Sequence, residues 1–117
     1  MLLHQFAVEN RGLSQADEAY YNLLQTKTNI LLKASPSDSI INTVINYYEN
    51  NEDGHKLALA YYYKSQISMS LEADSIAMVY ILKTIDKVKM TNNFQLLSNA
   101  YNHLGFIYLM QNLPSNA

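Results

Sequence analysis

Apolar residues recur along this chain at three- and four-residue spacing, in stretches closed by clusters of turn-forming residues. That period predicts helices, and no stretch shows the strict two-residue alternation of a strand. Residues 2–10 read as the end of a helix closed at Asn10-Arg11-Gly12, where glycine can take a left-handed cap. Ser14 then reads as an N-cap, with Asp17 three residues on as a weaker version of the capping box and Glu18 favouring the helix N-terminus. The helix expected over 15–33 carries Ala16, Tyr20, Leu23, Leu24, Thr28 and Leu31 as its apolar stripe. Ser35-Pro36-Ser37-Asp38 breaks it, and a second helix over 38–50 places Ile40, Ile41, Val44, Ile45 and Tyr48 inward.

After the turn Asn50–Gly54, a third helix over 55–71 carries Leu57, Ala60, Tyr61, Ile67 and Leu71. Asp74 is the expected N-cap of a fourth, over 75–90, with Ile76, Tyr80, Ile81, Ile85 and Val88 inward. The fifth, over 93–111, has Phe94, Leu97, Tyr101, Leu104 and Tyr108 on its stripe, and Leu113-Pro114-Ser115 reads as a further turn. Short connections between helices of this length make neighbours antiparallel.

A longer period overlies the helical one. Tyr21, Tyr61 and Tyr101 stand 40 residues apart, each within the first helix of a pair. The second helices align at an offset of 36, matching Asp38-Ser39-Ile40 to Asp74-Ser75-Ile76, so the connectors absorb the difference. A repeat of this size predicts stacked helix pairs, with units over 14–50, 55–90 and 93–117, the last incomplete.

At Tyr101…Leu104-Gly105…Tyr108 the chain resembles a tetratricopeptide repeat, whose first helix reads aromatic-x2-Leu-Gly-x2-Tyr. Ala117 follows Gly105 by twelve residues, and Ala77 follows Ser65 by the same interval, at the family's small second-helix position. A small residue on each helix lets the backbones approach. Lys64 and Ser68 depart from the family's leucine and tyrosine, Gln25 and Thr28 make the first unit degenerate, and 40 residues exceeds the usual period. The resemblance implies one all-α domain over 1–117, antiparallel helix pairs stacked as a right-handed superhelix, with a HEAT-like α-solenoid as the alternative.

The series Ala19-Tyr20-Tyr21, Ser37–Ile41, Tyr47-Tyr48-Glu49 and Lys56–Lys64 also resembles tetratricopeptide regions of Bacteroidetes proteins that are often predicted regulators. That resemblance implies a segment of a longer, membrane-anchored parent facing the periplasm, a sensor or scaffold, with a cytoplasmic location as the alternative.

Composition narrows the function. At 117 residues with 49% hydrophobic and 15% charged positions, the chain can bury a core. A formal charge of −2 and no Lys/Arg cluster argue against nucleic acid and anionic membrane as partners of this segment. The absence of cysteine excludes thiol catalysis, disulfides and cysteine-based metal sites. No apolar run approaches the roughly 20 residues needed to span a bilayer. His4, His55 and His103 are dispersed without ligand spacing, the serines form no nucleophile elbow and the three glycines no phosphate loop. The acidic residues concentrate at caps and turns, where helix geometry explains them. No catalytic residue, metal or cofactor is expected.

The expected function is therefore a non-catalytic surface for a protein or peptide, on the concave face formed by the first helices. The candidate residues there are Asn22, Thr26, Tyr62, Gln66, Met69, Asn99, Asn102 and Phe106. Asparagine and glutamine can pair with both N–H and C=O of an extended peptide, while Tyr, Met and Phe hold its apolar side chains. Tyr61-Tyr62-Tyr63 cannot form one stacking platform, because successive helical side chains point about 100° apart. The alternative role is structural, with the repeats packing on their own copy or on neighbouring repeats. The 93–111 helix is then the expected self-association surface.

Overall fold

The computed structural model describes residues 14–34 and 37–112. Expectations resting on residues 2–12, His4, Ser35-Pro36, Leu113–Ser115 and Ala117 lie outside the described residues. Within them are five α-helices and no strand: α1 Gln15–Leu31, α2 Ser39–Asn50, α3 Gly54–Ser70, α4 Asp74–Val88 and α5 Phe94–Asn112. The expected boundaries hold to within two residues.

Local signals set most of the ends. Ser14 Oγ accepts from Asp17 N while Asp17 Oδ2 accepts from Ser14 N, the reciprocal box expected from sequence. Asp53 caps α3 by accepting from Lys56 N, and that backbone donor holds its carboxyl below the ordinary carboxylate value. Asp74 is a correction: the cap position of α4 is Ala73, with no side-chain bond. Asp74 sits inside the first turn, where its charge still favours the helix dipole.

α1 and α3 end alike. Lys33 (φ 55°) and Glu72 (φ 60°) take the left-handed position without glycine. Ala34 N reaches Asn29 O and Lys33 N reaches Ile30 O after α1. Ala73 N reaches Ser68 O and Glu72 N reaches Met69 O after α3. Both are Schellman closures, at equivalent places in two successive units.

Helix α3 is central. Leu57, Ala60, Tyr61 and Ile67 join Ala19 and Leu23 of α1 and Ile41, Val44, Ile45 and Tyr48 of α2 in one core. A second core joins Ala77, Ile81 and Ile85 of α4 to Ala100 and Ile107 of α5, and a third joins Ala58, Val88 and Leu96. Ser65 and Ala77 are both fully buried, and Ser65 Oγ donates to Ala77 O at 2.7 Å. The small pair read from the sequence is thus where α3 and α4 approach closely.

Polar links fasten the pairs. Lys64, 7% exposed, donates to Asp38 Oδ2 at 3.0 Å and to Asn42 Oδ1 at 2.9 Å, joining α3 to the start of α2. Tyr61 Oη donates to Glu49 Oε2 at 2.6 Å, and Lys83 lies over the Tyr61 and Tyr80 rings, so α2, α3 and α4 share one contact. Burial pushes the Tyr48 phenol up to about 12, and its Oη has no partner among the described residues.

The expected stripes need correction. On α5 the buried positions are Leu96, Ala100 and Ile107, whereas Phe94, Tyr101 and Tyr108 are exposed. The helix seats on α4 through its small and branched residues, and its aromatic edge is half or more open to solvent. On α1, Ala19, Leu23 and Thr26 are buried, while Ala16, Tyr20, Leu24, Thr28 and Leu31 are exposed, with the Lys56 ammonium lying over the Tyr20 ring. Ile40, Leu71 and Ile76 are also exposed; Ile41 and Ala77, each next to one of them, take the buried positions at the starts of α2 and α4. The repeating tyrosines consequently differ: Tyr61 is buried, Tyr21 half-buried and Tyr101 exposed.

Candidate functional site

A groove of about 730 Å³ opens between α1, the α1–α2 connection, α3 and α5. One wall comes from Thr26, Ile30 and Lys33, the floor from Gln66, Ile67 and Met69, and the other wall from His103, Phe106 and Met110. The volume is that of a small-molecule site or of a few anchoring side chains of a peptide. Every helix that forms floor or wall is the first of its unit; Ser37 and Ile40 complete the rim where α2 begins.

Several polar groups in the lining are already engaged. Thr26 Oγ1 donates to Asn22 O, Ser70 Oγ donates to Gln66 O, and Asn29 Oδ1 accepts from Gln25 Nε2. Backbone acceptors inside a helix commonly take such hydroxyls. Among the described lining residues no carboxylate is present, and Lys33 carries the formal charge. The Lys33 ammonium makes no ion pair among the described residues.

His103 is the fixed point of the α5 wall. Its ring lies edge-on to Tyr62 at 5.9 Å and stacks on Phe106 at 6.1 Å. Nε2 stands 3.1 Å from Ser65 Oγ, at the contact between α3 and α4. Burial lowers the imidazole pKa from its ordinary value, partly offset by the Ser65 backbone, so the neutral ring is favoured near pH 7.

A serine beside a histidine invites a catalytic reading, and the proton inventory opposes it. The Ser65 hydroxyl is fully buried and gives its proton to Ala77 O. A nucleophile needs that proton passed to the histidine and a path for substrate. Among the described residues no group of three or more acidic or histidine side chains could hold a metal ion, and no helix is long and apolar enough to cross a membrane.

The eight candidates from the sequence separate into two sets. Thr26, Gln66, Met69 and Phe106 line the groove together. Asn22, Tyr62, Asn99 and Asn102 do not. Asn22 is half-buried behind Thr26, Tyr62 buttresses His103 from α3, Asn99 accepts from Gln95 and Asn102 is exposed. Lys33, His103 and Met110 are among the lining residues that were not candidates from the sequence. On α5, Asn99, His103, Phe106 and Met110 recur at four-, three- and four-residue intervals, a face that helical spacing makes visible. Lys33 gives no such signal, because its position depends on the left-handed turn after α1.

Comparison of the chain with protein-family models, with curated proteins and with solved structures found no match.

Proposed function

We propose that the chain is a tetratricopeptide-like helical-repeat module that holds a peptide segment of a protein partner between α1, α3 and α5. The observation that carries this reading is the common origin of floor and walls in the first helices of successive units. Apolar side chains from Ile30, Ile67, Met69 and Phe106 offer seats for anchors, and the methionines adapt to the shape of what enters. Gln66 offers both a donor and an acceptor for main-chain groups. With Lys33 as the charge in the lining, a segment carrying an acidic residue is favoured, by less than about 1 kcal/mol at an exposed site. Under the Bacteroidetes resemblance, the module is the sensor or scaffold part of a regulator.

Panning a phage-displayed random heptapeptide library on the immobilised chain tests this. Enriched sequences are expected to combine apolar residues with an acidic one. Their affinity should fall at least about tenfold in Gln66→Arg, whose longer side chain fills the groove floor and removes the amide acceptor, and stay unchanged in Asn102→Ala. No enrichment over empty phage, or binding indifferent to Gln66→Arg, would sink the reading.

A second reading is supported by one observation on α5. Phe94 (71% exposed), Tyr101 (52%) and Tyr108 (52%) recur every seven residues, and a Cβ placed on Gly105 meets nothing within 4 Å. The row is the kind of apolar edge that a second copy covers, the self-associating role expected for this helix. Sedimentation equilibrium should then show dimers that Tyr101→Glu with Tyr108→Glu returns to monomers. A wild-type monomer at the highest soluble concentration counts against it.

A further inference from the structure

The strongest unassigned chemistry in the molecule is the free nitrogen of His103. Ser65 has one hydroxyl proton, and Ala77 O receives it at 2.7 Å. At its other contact, 3.1 Å from His103 Nε2, Ser65 Oγ can only accept. Nε2 therefore carries the imidazole proton, and in the neutral ring Nδ1 keeps its lone pair. No described residue donates to Nδ1. Tyr48 Oη is the buried polar side-chain atom left without a partner among the described residues, so the unpartnered Nδ1 of half-buried His103 is open to solvent. Tyr62 and Phe106 hold the ring, and a held acceptor needs little reorganisation to be used.

We infer that His103 Nδ1 is the groove's specificity-determining acceptor, receiving an N–H of an entering peptide segment, so that acid closes the site by placing a proton where the peptide's donor must sit. This rests on the peptide-groove reading and adds to it the polarity of the occupant. The segment presents an N–H towards α5 and, across the groove, an acidic side chain towards Lys33. Gln66 and the Asn29 amide nitrogen supply donors on the floor and first wall, so His103 gives the α5 wall the complementary acceptor.

The charged surroundings fix the sign of the pH effect. α5 itself carries no Asp, Glu, Lys or Arg. From α3, His103 faces the Tyr62 phenol, whose pKa burial raises, and the Ser65 hydroxyl. α4 presents Ala77, with Asp74 one turn earlier and Lys83 held over the Tyr61 and Tyr80 rings. Lys33 lines the opposite wall. Burial already disfavours the imidazolium, and an N–H bound at Nδ1 disfavours it further. Affinity is then fully present above the histidine pKa of the free protein and falls as pH drops through it.

The test titrates a fluorescein-labelled synthetic copy of an enriched heptapeptide against the full chain by fluorescence polarisation, at about pH 7.5 and about pH 5.5. Circular dichroism at both values reports the folded fraction. Wild type is expected to bind more weakly in acid, by less than the about tenfold that an unshifted histidine would give one pH unit below its pKa, because burial lowers that of His103. His103→Gln, which keeps an acceptor and a donor without titrating, should bind with no pH step between those values. His103→Phe should be about tenfold weaker at neutral pH and equally flat. Parallel acid losses in wild type and His103→Gln, or no loss in wild type, overturn the inference while binding sensitive to Gln66→Arg leaves the groove standing. A peptide indifferent to Gln66→Arg, or no enriched peptide at all, removes both.

Discussion

Ala77→Leu is expected to destabilise the chain by about 3 kcal/mol, read as a lower urea midpoint at unchanged slope. Ala77 and Ser65 are both fully buried, and the 2.7 Å bond from Ser65 Oγ to Ala77 O marks the closest fastening of α3 to α4. A leucine side chain there has no void to enter, so the helices must separate or adopt strained rotamers. Separation also removes the acceptor of Ser65, which in turn orients His103, so the damage spreads from the packing of two helices to the α5 wall of the groove. Ser65→Ala is the milder companion, losing one buried hydrogen bond and stranding His103 Nε2–H, for about 1 kcal/mol. An Ala77→Leu protein within about half a kcal/mol of wild type would mean that the close approach of α3 and α4 is not where stability resides.

What the sequence discloses follows from how local the cause is. The Ser14–Asp17 box and the turns are legible because their residues act within four positions. The face of a helix is legible only where one side is covered. α3 is covered on several sides, so Lys64, Ser65 and Ser68 are buried beside Tyr61 and Tyr63, and its pattern names no single face. Lys64 looks like a surface lysine until Asp38, 26 residues away, is seen to receive it. His103 looks dispersed until Ser65, 38 residues away, fixes its tautomer. On α1 and α5 the period is correct but the stripe is misplaced, because large aromatics outweigh alanine in the pattern while alanine governs close helix contact. For the same reason half of the candidate groove residues meet and half fall to the sides.

The second large effect is expected for Ile107→Ala, about 3 kcal/mol, and it should be unevenly distributed. Ile107 is fully buried against Ala77, Ile81 and Ile85, and with Leu96 and Ala100 it supplies the buried seat of α5. At its start the helix is held by Asn93 Oδ1 accepting from Leu96 N. Its aromatic edge lies outside this buried seat, since Phe94, Tyr101 and Tyr108 are exposed. A helix attached on one side in a stacked array opens by itself at lower free energy than the helices between neighbours. Amide exchange in Ile107→Ala should therefore accelerate across Leu96–Tyr108 while α3 amides retain most of their protection. Peptide capture should disappear with it, because His103, Phe106 and Met110 leave the groove together. If protection instead falls by the same factor in every helix, α5 is not a separable unit, and the groove opens only when the whole chain unfolds.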